Sequence, residues 1–274
     1  MNRRAHEREC LLSEQRLREL MRERYERPLP RRFYKKVSVR ETDDGHFAVL
    51  LDERPLRTPL KRPLHLPARA LAEGVAAEWR AQKERINPAA MPLTGLANAA
   101  IDKADADQPD SERAALQEHV RELAAYDALC YRADEATQGG LARRQREIWD
   151  ALLARAEREL GARLTLAQGI MPVAQPPESM SALMRPFENA DPFTFIALFS
   201  MATLSRSAVL ALAVARGWLT AEQAWHAATL EEQWNMELWG EDAEAAARMR
   251  AQRDSFLAAA RFLALLHEMT DEGG

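Results

Sequence analysis

Cysteine is scarce. The 274-residue chain has two, Cys10 and Cys130, and they form no CxxC pair. That excludes a disulfide scaffold and fits a reducing compartment. Cys130 sits in the apolar, aromatic stretch AYDALCYR and reads as a buried thiol. No GxxxxGK[ST] phosphate loop, no GxGxxG and no GxSxG elbow occurs. The six histidines are scattered without metal-ligand spacing. His267-Glu268 has no second histidine at the zinc-protease distance, so no metal and no cofactor is expected. Strong charge of either sign is missing too. A net charge of -4 and a pI near 6.0 give no electrostatic case for nucleic acid. The first 32 residues carry ten Arg and six Glu but no apolar core segment. They suit neither a signal peptide nor an acid-poor transit peptide. The longest apolar run, Phe193 to Ala215, approaches the roughly 20 residues that span a bilayer. Arg206 in its middle makes it a buried core helix instead, two joined near Ser205, and no membrane insertion is expected.

What is present falls into three parts: a flexible Arg/Glu-rich tail (1–30), a β-rich α+β part (31–108) and a helical part (109–274). Leu11, Leu12, Leu17 and Leu20 allow a marginal helix in the tail. Lys35 to Arg40 alternates as a strand, Asp43-Asp44-Gly45 marks a turn, and Phe47 to Leu51 reads as a second strand. Asp52-Glu53-Arg54 then leads to a third strand at Leu56. Arg54, Arg57, Lys61 and Arg62 form a basic cluster, read as a solvated rim or as a surface for an acidic partner. Helices are predicted over Ala68 to Gln82 and from Met91 to Asp102, the latter with Thr94 as N-cap. The polar stretch Asp105 to Ser111 is the expected boundary. Beyond it only helices are predicted: Glu112 to Tyr131, Leu141 to Leu160 ending at Gly161, Met180 to Asn189, the split apolar run, and Asp242 to Leu266. Gly139-Gly140 reads as a linker, and residues 165–180 as irregular. The fold class is α+β, with segregated parts.

Thr220 to Asp242, TAEQAWHAATLEEQWNMELWGED, holds three of the six tryptophans. Thr220 and Gln223 have capping-box spacing, and Gly240 suits a helix end. At about 100° per residue, Ala224, Ala227, Leu230, Trp234 and Leu238 share a face with Glu231 among them. Trp225, Glu232 and Trp239 form a second row. A carboxylate in an apolar stripe has three readings. Glu231 reaches water or an internal Arg, it meets a partner, or it is a catalytic acid with a raised pKa.

Six stretches come in an order that carries a family likeness: RRFYKKVSV (Arg31 to Val39), LDERPLRTP (Leu51 to Pro59), VAAEWRAQKERINPAAMPLTGLANAAID (Val75 to Asp102), YDALCYRA (Tyr126 to Ala133), SAVLALAVARG (Ser207 to Gly217) and EEQWNMELWGED (Glu231 to Asp242). Together they resemble the ATP synthase F1 complex assembly factor 2 family, chaperones of the F1 α subunit. The resemblance implies a small β-rich N-terminal domain followed by an all-α orthogonal helical bundle, and no catalysis. It implies binding of the free F1 α subunit, with shielding of its β-facing surface until assembly. The family's important glutamate lies eight residues before the Trp of a WG motif, which is Glu231 here. With its neighbours in the helix pattern, Glu231, Glu232, Trp234, Leu238 and Trp239 are the expected partner-binding set. RFYK, PLRTP and MPLT are expected to be structural. Ser205-Arg206-Ser207 departs from the family's small-residue pattern.

The competing reading is a small-molecule enzyme with a carboxylate in a helical cleft. Glu231 or Glu232 would be its acid, and Arg132 or Arg206 its anion anchor. A third is a structural subunit of a stable complex. A monomer is expected, in bacterial cytoplasm, or in the mitochondrial matrix if the source is eukaryotic.

Overall fold

The computed structural model describes residues 28–108, 111–168, 171 and 173–268. Most of the expected tail, with Cys10 and its four leucines, lies outside the described residues. The chain's contacts divide it into two units. In the first, the described residues are 28–33 and Ala81–Asn87. The Ile86 N–H donates to the Pro30 carbonyl at 2.9 Å, and the Arg32 N–H to the Glu84 carbonyl at 2.9 Å. The Arg85 guanidinium donates to the Leu29 carbonyl at 2.6 Å.

The second unit holds the sheet and the remaining helices. β1 (Val37–Glu41) and β2 (Phe47–Leu51) pair antiparallel, with Val39 opposite Val49, across the predicted Asp-Asp-Gly turn. β3 (Arg54–Pro55) and β4 (His65–Leu66) share the other edge of β2. The third strand is thus shorter and earlier than expected at Leu56. Asp52 and Glu53 both take left-handed φ values, 47° and 68°, and so close the hairpin in two residues. The Asp52 carboxylate steadies this costly turn by accepting from the Lys35 and Lys36 N–H groups. In the basic cluster, Arg62 is partly buried and anchors on the Ile101 and Asp102 carbonyls at 3.2 Å.

α1 (Arg69–Ala81) lies where the spacing predicts and buries Leu71, Ala72, Val75 and Ala76. α2 (Pro92–Ala99) widens into a π turn at residues 100–104. Thr94 is not its N-cap, since Met91 occupies that position and makes no side-chain cap. The cap comes from another helix. Glu78 of α1 accepts from the Leu93 N–H at 2.7 Å, the Thr94 N–H at 2.8 Å and the Thr94 hydroxyl at 2.7 Å. Orphan N–H groups at a helix start need such acceptors, and a carboxylate also suits the helix dipole. The quoted motifs are tied in the same way. The Tyr34 hydroxyl donates to the Trp79 carbonyl at 2.7 Å, and the Thr58 hydroxyl to buried Asp102 at 2.7 Å.

α3 (Arg113–Ala125) stops well before the predicted Tyr131. Asp127 turns its carboxylate back onto the Leu129 N–H, making a short 3-10 turn at Ala128–Cys130. Two residues then run extended. β5 (Tyr131–Arg132) pairs parallel with β6 (Ala167–Gln168), so the rear is not purely helical. α4 (Glu135–Gln145) passes through a π turn at residues 146–150 into α5 (Ala151–Leu160). Gly161, at φ 78°, ends it as expected, a left-handed position that other residues take only with strain. α6 (Pro177–Glu188) starts three residues before the predicted Met180, because Pro177 suits a first helical turn.

The apolar run divides at Ser205 as read: α7 (Pro192–Ser205) and α8 (Ala208–Ala215), with Arg206 between them at φ 55°. Among the described residues no helix is long and apolar enough to cross a membrane. α9 (Ala221–Ala228), α10 (Leu230–Trp239) and α11 (Ala243–His267) follow. In α11, Ala246, Phe256, Ala259, Phe262 and Leu263 take the inner positions. One hydrophobic cluster runs from Val49 and Leu66 of the sheet through Leu93 and Ala97 to Phe195, Met201, Leu210, Phe256 and Phe262. The fold is α+β and mostly helical, a small antiparallel sheet followed by packed helices.

Candidate functional site

The predicted capping box forms: Thr220 accepts from the Gln223 N–H, and Gln223 accepts from the Thr220 N–H. The single helix expected from Thr220 to Gly240 does not. It breaks at Thr229, at φ -110° and ψ 22°, which separates α9 from α10. The Thr229 hydroxyl donates to the Trp225 carbonyl at 2.8 Å and accepts from the Gln233 side chain at 2.8 Å. A β-branched residue that bonds back to the carbonyl four residues earlier bends a helix there.

The expected stripe splits at this break. Ala224, Trp225, Ala227 and Leu230 are buried. Leu238 is 56% exposed and Trp239 84% exposed. Leu230 is the one buried residue of α10, so this helix stands on the surface with its far end in solvent. Three attachments to α4 hold it, one of them the Gln145 amide on Glu231. The Arg144 guanidinium donates to Glu237 at 2.8 Å and lies 4.8 Å from the Trp234 ring centre. The Trp234 ring also presses on the backbone at Gly140, where a Cβ would come within 2.4 Å of it. Gly139-Gly140 is therefore no linker. Both residues lie inside α4, just past a kink at Gln138, and Gly140 is the seat of a tryptophan.

Glu231 is exposed along its stem, and its carboxylate reaches the buried Gln145 amide, which donates to it at 2.8 Å. Burial at that tip pushes the Glu231 carboxyl above its ordinary range. The Glu232 charge adds to this, while Arg206 and Gln145 oppose it. Glu232 accepts from the Arg206 guanidinium at 3.1 Å. Both glutamates line a cavity of about 210 Å³, together with Tyr126, Tyr131, Trp149 and Arg206. The Trp149 indole N–H donates to the Ala227 carbonyl at 3.0 Å, fixing the floor to α9. Of the two anion anchors considered, Arg206 lines this cavity. Arg132 lines a different one and pairs with Asp150 at 2.7 Å. Cys130 is buried, and its thiol is pushed up to about 12, the state of an inert core thiol. Among the described residues no cluster of three potential metal ligands occurs.

The structure thus gathers Glu231 and Glu232 at one cavity, seats Trp234 beside it, and leaves Leu238 and Trp239 free at the end of α10. Sequence reasoning missed the aromatic walls and Gln145. Gln145 and Trp149 contact Glu231 and Ala227 across 86 and 78 residues of sequence, beyond any local pattern. Tyr126 and Tyr131 belong to the YDALCYRA stretch, the one signal that could have flagged them.

Comparison with known proteins agrees with this architecture. Residues 31–157 match the family described as ATP12 chaperone protein, a span that ends before α9 and α10. The chain is 26% identical over 223 residues to "Protein atp12, mitochondrial" of Schizosaccharomyces pombe, covering 78% of this chain and 76% of that protein. The crystal structure of Atp12 from Paracoccus denitrificans superposes with a TM-score of 0.79 at 40% identity, covering 87% of this chain and 99% of that one. The Atu1473 protein of Agrobacterium tumefaciens superposes with a TM-score of 0.80 at 44% identity, covering 87% of each chain. At such identity over nearly the whole of a solved relative, the chain belongs to the ATP12 chaperone family.

Proposed function

We propose that the protein is an assembly chaperone for the F1 part of ATP synthase. It binds the free α subunit and shields its β-facing surface until assembly. It acts as a monomer, without catalysis, in bacterial cytoplasm, or in the mitochondrial matrix if the source is eukaryotic. The contact set is Glu231, Glu232, Trp234, Leu238 and Trp239. The observation that carries this reading is Trp239, 84% exposed at the tip of a helix that buries little else. A large apolar side chain held out in water suits a surface that another protein covers. Aromatic contact supplies affinity, and the charged rim limits it so that the client can leave. A cavity of about 210 Å³ lies below the roughly 300–1,000 Å³ typical of small-molecule sites, which disfavours the enzyme alternative.

The test is capture of purified F1 α subunit, followed by addition of β. The wild-type chain should keep α soluble and release it to β. Glu231→Lys and Trp239→Ala should each weaken capture, by about tenfold or more for an interface anchor, while the chaperone stays folded. Undiminished capture by both folded variants would remove α10 from the interface.

A further inference from the structure

The cavity beside α10 is short of positive charge. Two carboxylates face it, Glu231 and Glu232, and one guanidinium, Arg206. Arg206 serves one oxygen of Glu232 at 3.1 Å. The other Glu232 oxygen is buried without a partner. Glu231 is met only by the neutral amide of Gln145. Of the nearby cations, Arg144 pairs with Glu237, while Arg132 pairs with Asp150 and lies 5.2 Å from the Trp149 ring centre, leaving the tyrosine rings for stacking. Two carboxylates against one guanidinium leave a net negative charge in a pocket walled by Tyr126, Tyr131 and Trp149. Two carboxylates crowded together with one counter-ion between them favour a ligand that brings positive charge.

Resting on the α-subunit reading above, we propose that this cavity is the receptor for one arginine side chain of the client. Its volume of about 210 Å³ fits a single long side chain. A guanidinium carries five in-plane donors, which can reach separate carboxylate oxygens, and two flat faces that stack on aromatic rings. An ammonium offers a point charge and no such faces. Arg206 already shows the mode on Glu232. The client arginine takes the Glu231 carboxylate, so the two guanidinium groups divide the acidic pair between them. The raised carboxyl of Glu231 is what the empty pocket should show, and a bound cation would reverse it.

The test titrates the purified full chain with N-acetylarginine methylamide, its neutral citrulline analogue and N-acetyllysine methylamide. The Trp149 indole N–H resonance is the reporter, and capture of purified F1 α is read in parallel. The arginine probe should give a saturable shift, with the citrulline analogue about tenfold or more weaker. Glu231→Gln should abolish the shift, and Glu244→Gln, on the exposed start of α11, should leave it unchanged. Equal response to arginine and citrulline, tighter binding of lysine, or no saturable shift would overturn the proposal. If α is captured normally while the arginine probe leaves Trp149 untouched, the pocket proposal fails and the α-subunit reading stands. If the probe binds and α is not captured, the pocket stands and the client is another protein.

Discussion

Asp127 is fully buried, yet it must satisfy the start of a helix at Val209, 82 residues further on. Its carboxylate accepts from the Leu129 and Val209 N–H groups, each at 3.1 Å. The hydrogen bonds favour the ion, but burial outweighs them and pushes the carboxyl up to about 6. The folded state therefore holds this proton more tightly than the unfolded chain, whose Asp titrates near 3.9. Asp127 contributes its full stability below about pH 4 and loses it as pH rises through about 6, a swing on the order of 3 kcal/mol. The difference in urea-unfolding free energy between wild type and Asp127→Asn isolates this effect, since all other groups cancel. Wild type should lose ground to the variant between pH 4 and 7. A difference that stays flat would show that Asp127 titrates normally. The sequence marks this residue only as part of a motif. Nothing local says that it faces the first turn of α8. Glu231 was legible because its charge interrupts an apolar pattern, whereas the tyrosines and the tryptophan around it interrupt nothing.

Elements fixed by their own ends were legible. The capping box at Thr220, Gly161 and the split at Ser205 are local signals, and each appears where the spacing puts it. The break at Thr229 was not, because α9 and α10 share one helical period and the competing hydroxyl bond is invisible in a list of apolar positions. The short β5 and β6 were missed because each is two residues long and stabilised only by the other. The Trp234 seat was missed because a glycine in a helix looks like a weak point until something rests on it. Gly140→Ala tests that seat. The new methyl would lie 2.4 Å from the Trp234 ring, so the ring must shift and carry α10 with it. Overpacking of this kind destabilises by about 1–3 kcal/mol. Limited proteolysis should cut faster between Thr229 and Gly240, and the urea midpoint should fall. Gly139→Ala meets open space and should leave both unchanged. Equal behaviour of the two variants would mean that Trp234 does not anchor α10.

The division at residue 108 is a change of composition, β-rich before and helical after, and we propose that it is one of architecture rather than of folding units. Arg113, five residues beyond it, is buried and reaches both ways. It donates to the Ala104 carbonyl at 3.4 Å, and to the Phe187 and Ala190 carbonyls at 2.9 and 2.8 Å. Its guanidinium lies 3.7 Å from the Phe195 ring centre. α2, from the front part, packs on α7 and α11 of the rear. Expressed alone, residues 109–274 would expose the faces of α7 and α11 that pack on α2, and would leave Arg113 without the Ala104 carbonyl. Each buried apolar side chain so uncovered forfeits about 1.5–3 kcal/mol, and a few of these equal the whole stability of a typical domain. The fragment should therefore keep helical far-ultraviolet signal but lose near-ultraviolet signal and elute as a broad, associating species. Co-expression with residues 31–108 should restore a sharp, single unfolding transition. A fragment 109–274 that unfolds cooperatively by itself would show that the helical part is a folding unit, and that the shared core only docks the sheet onto it.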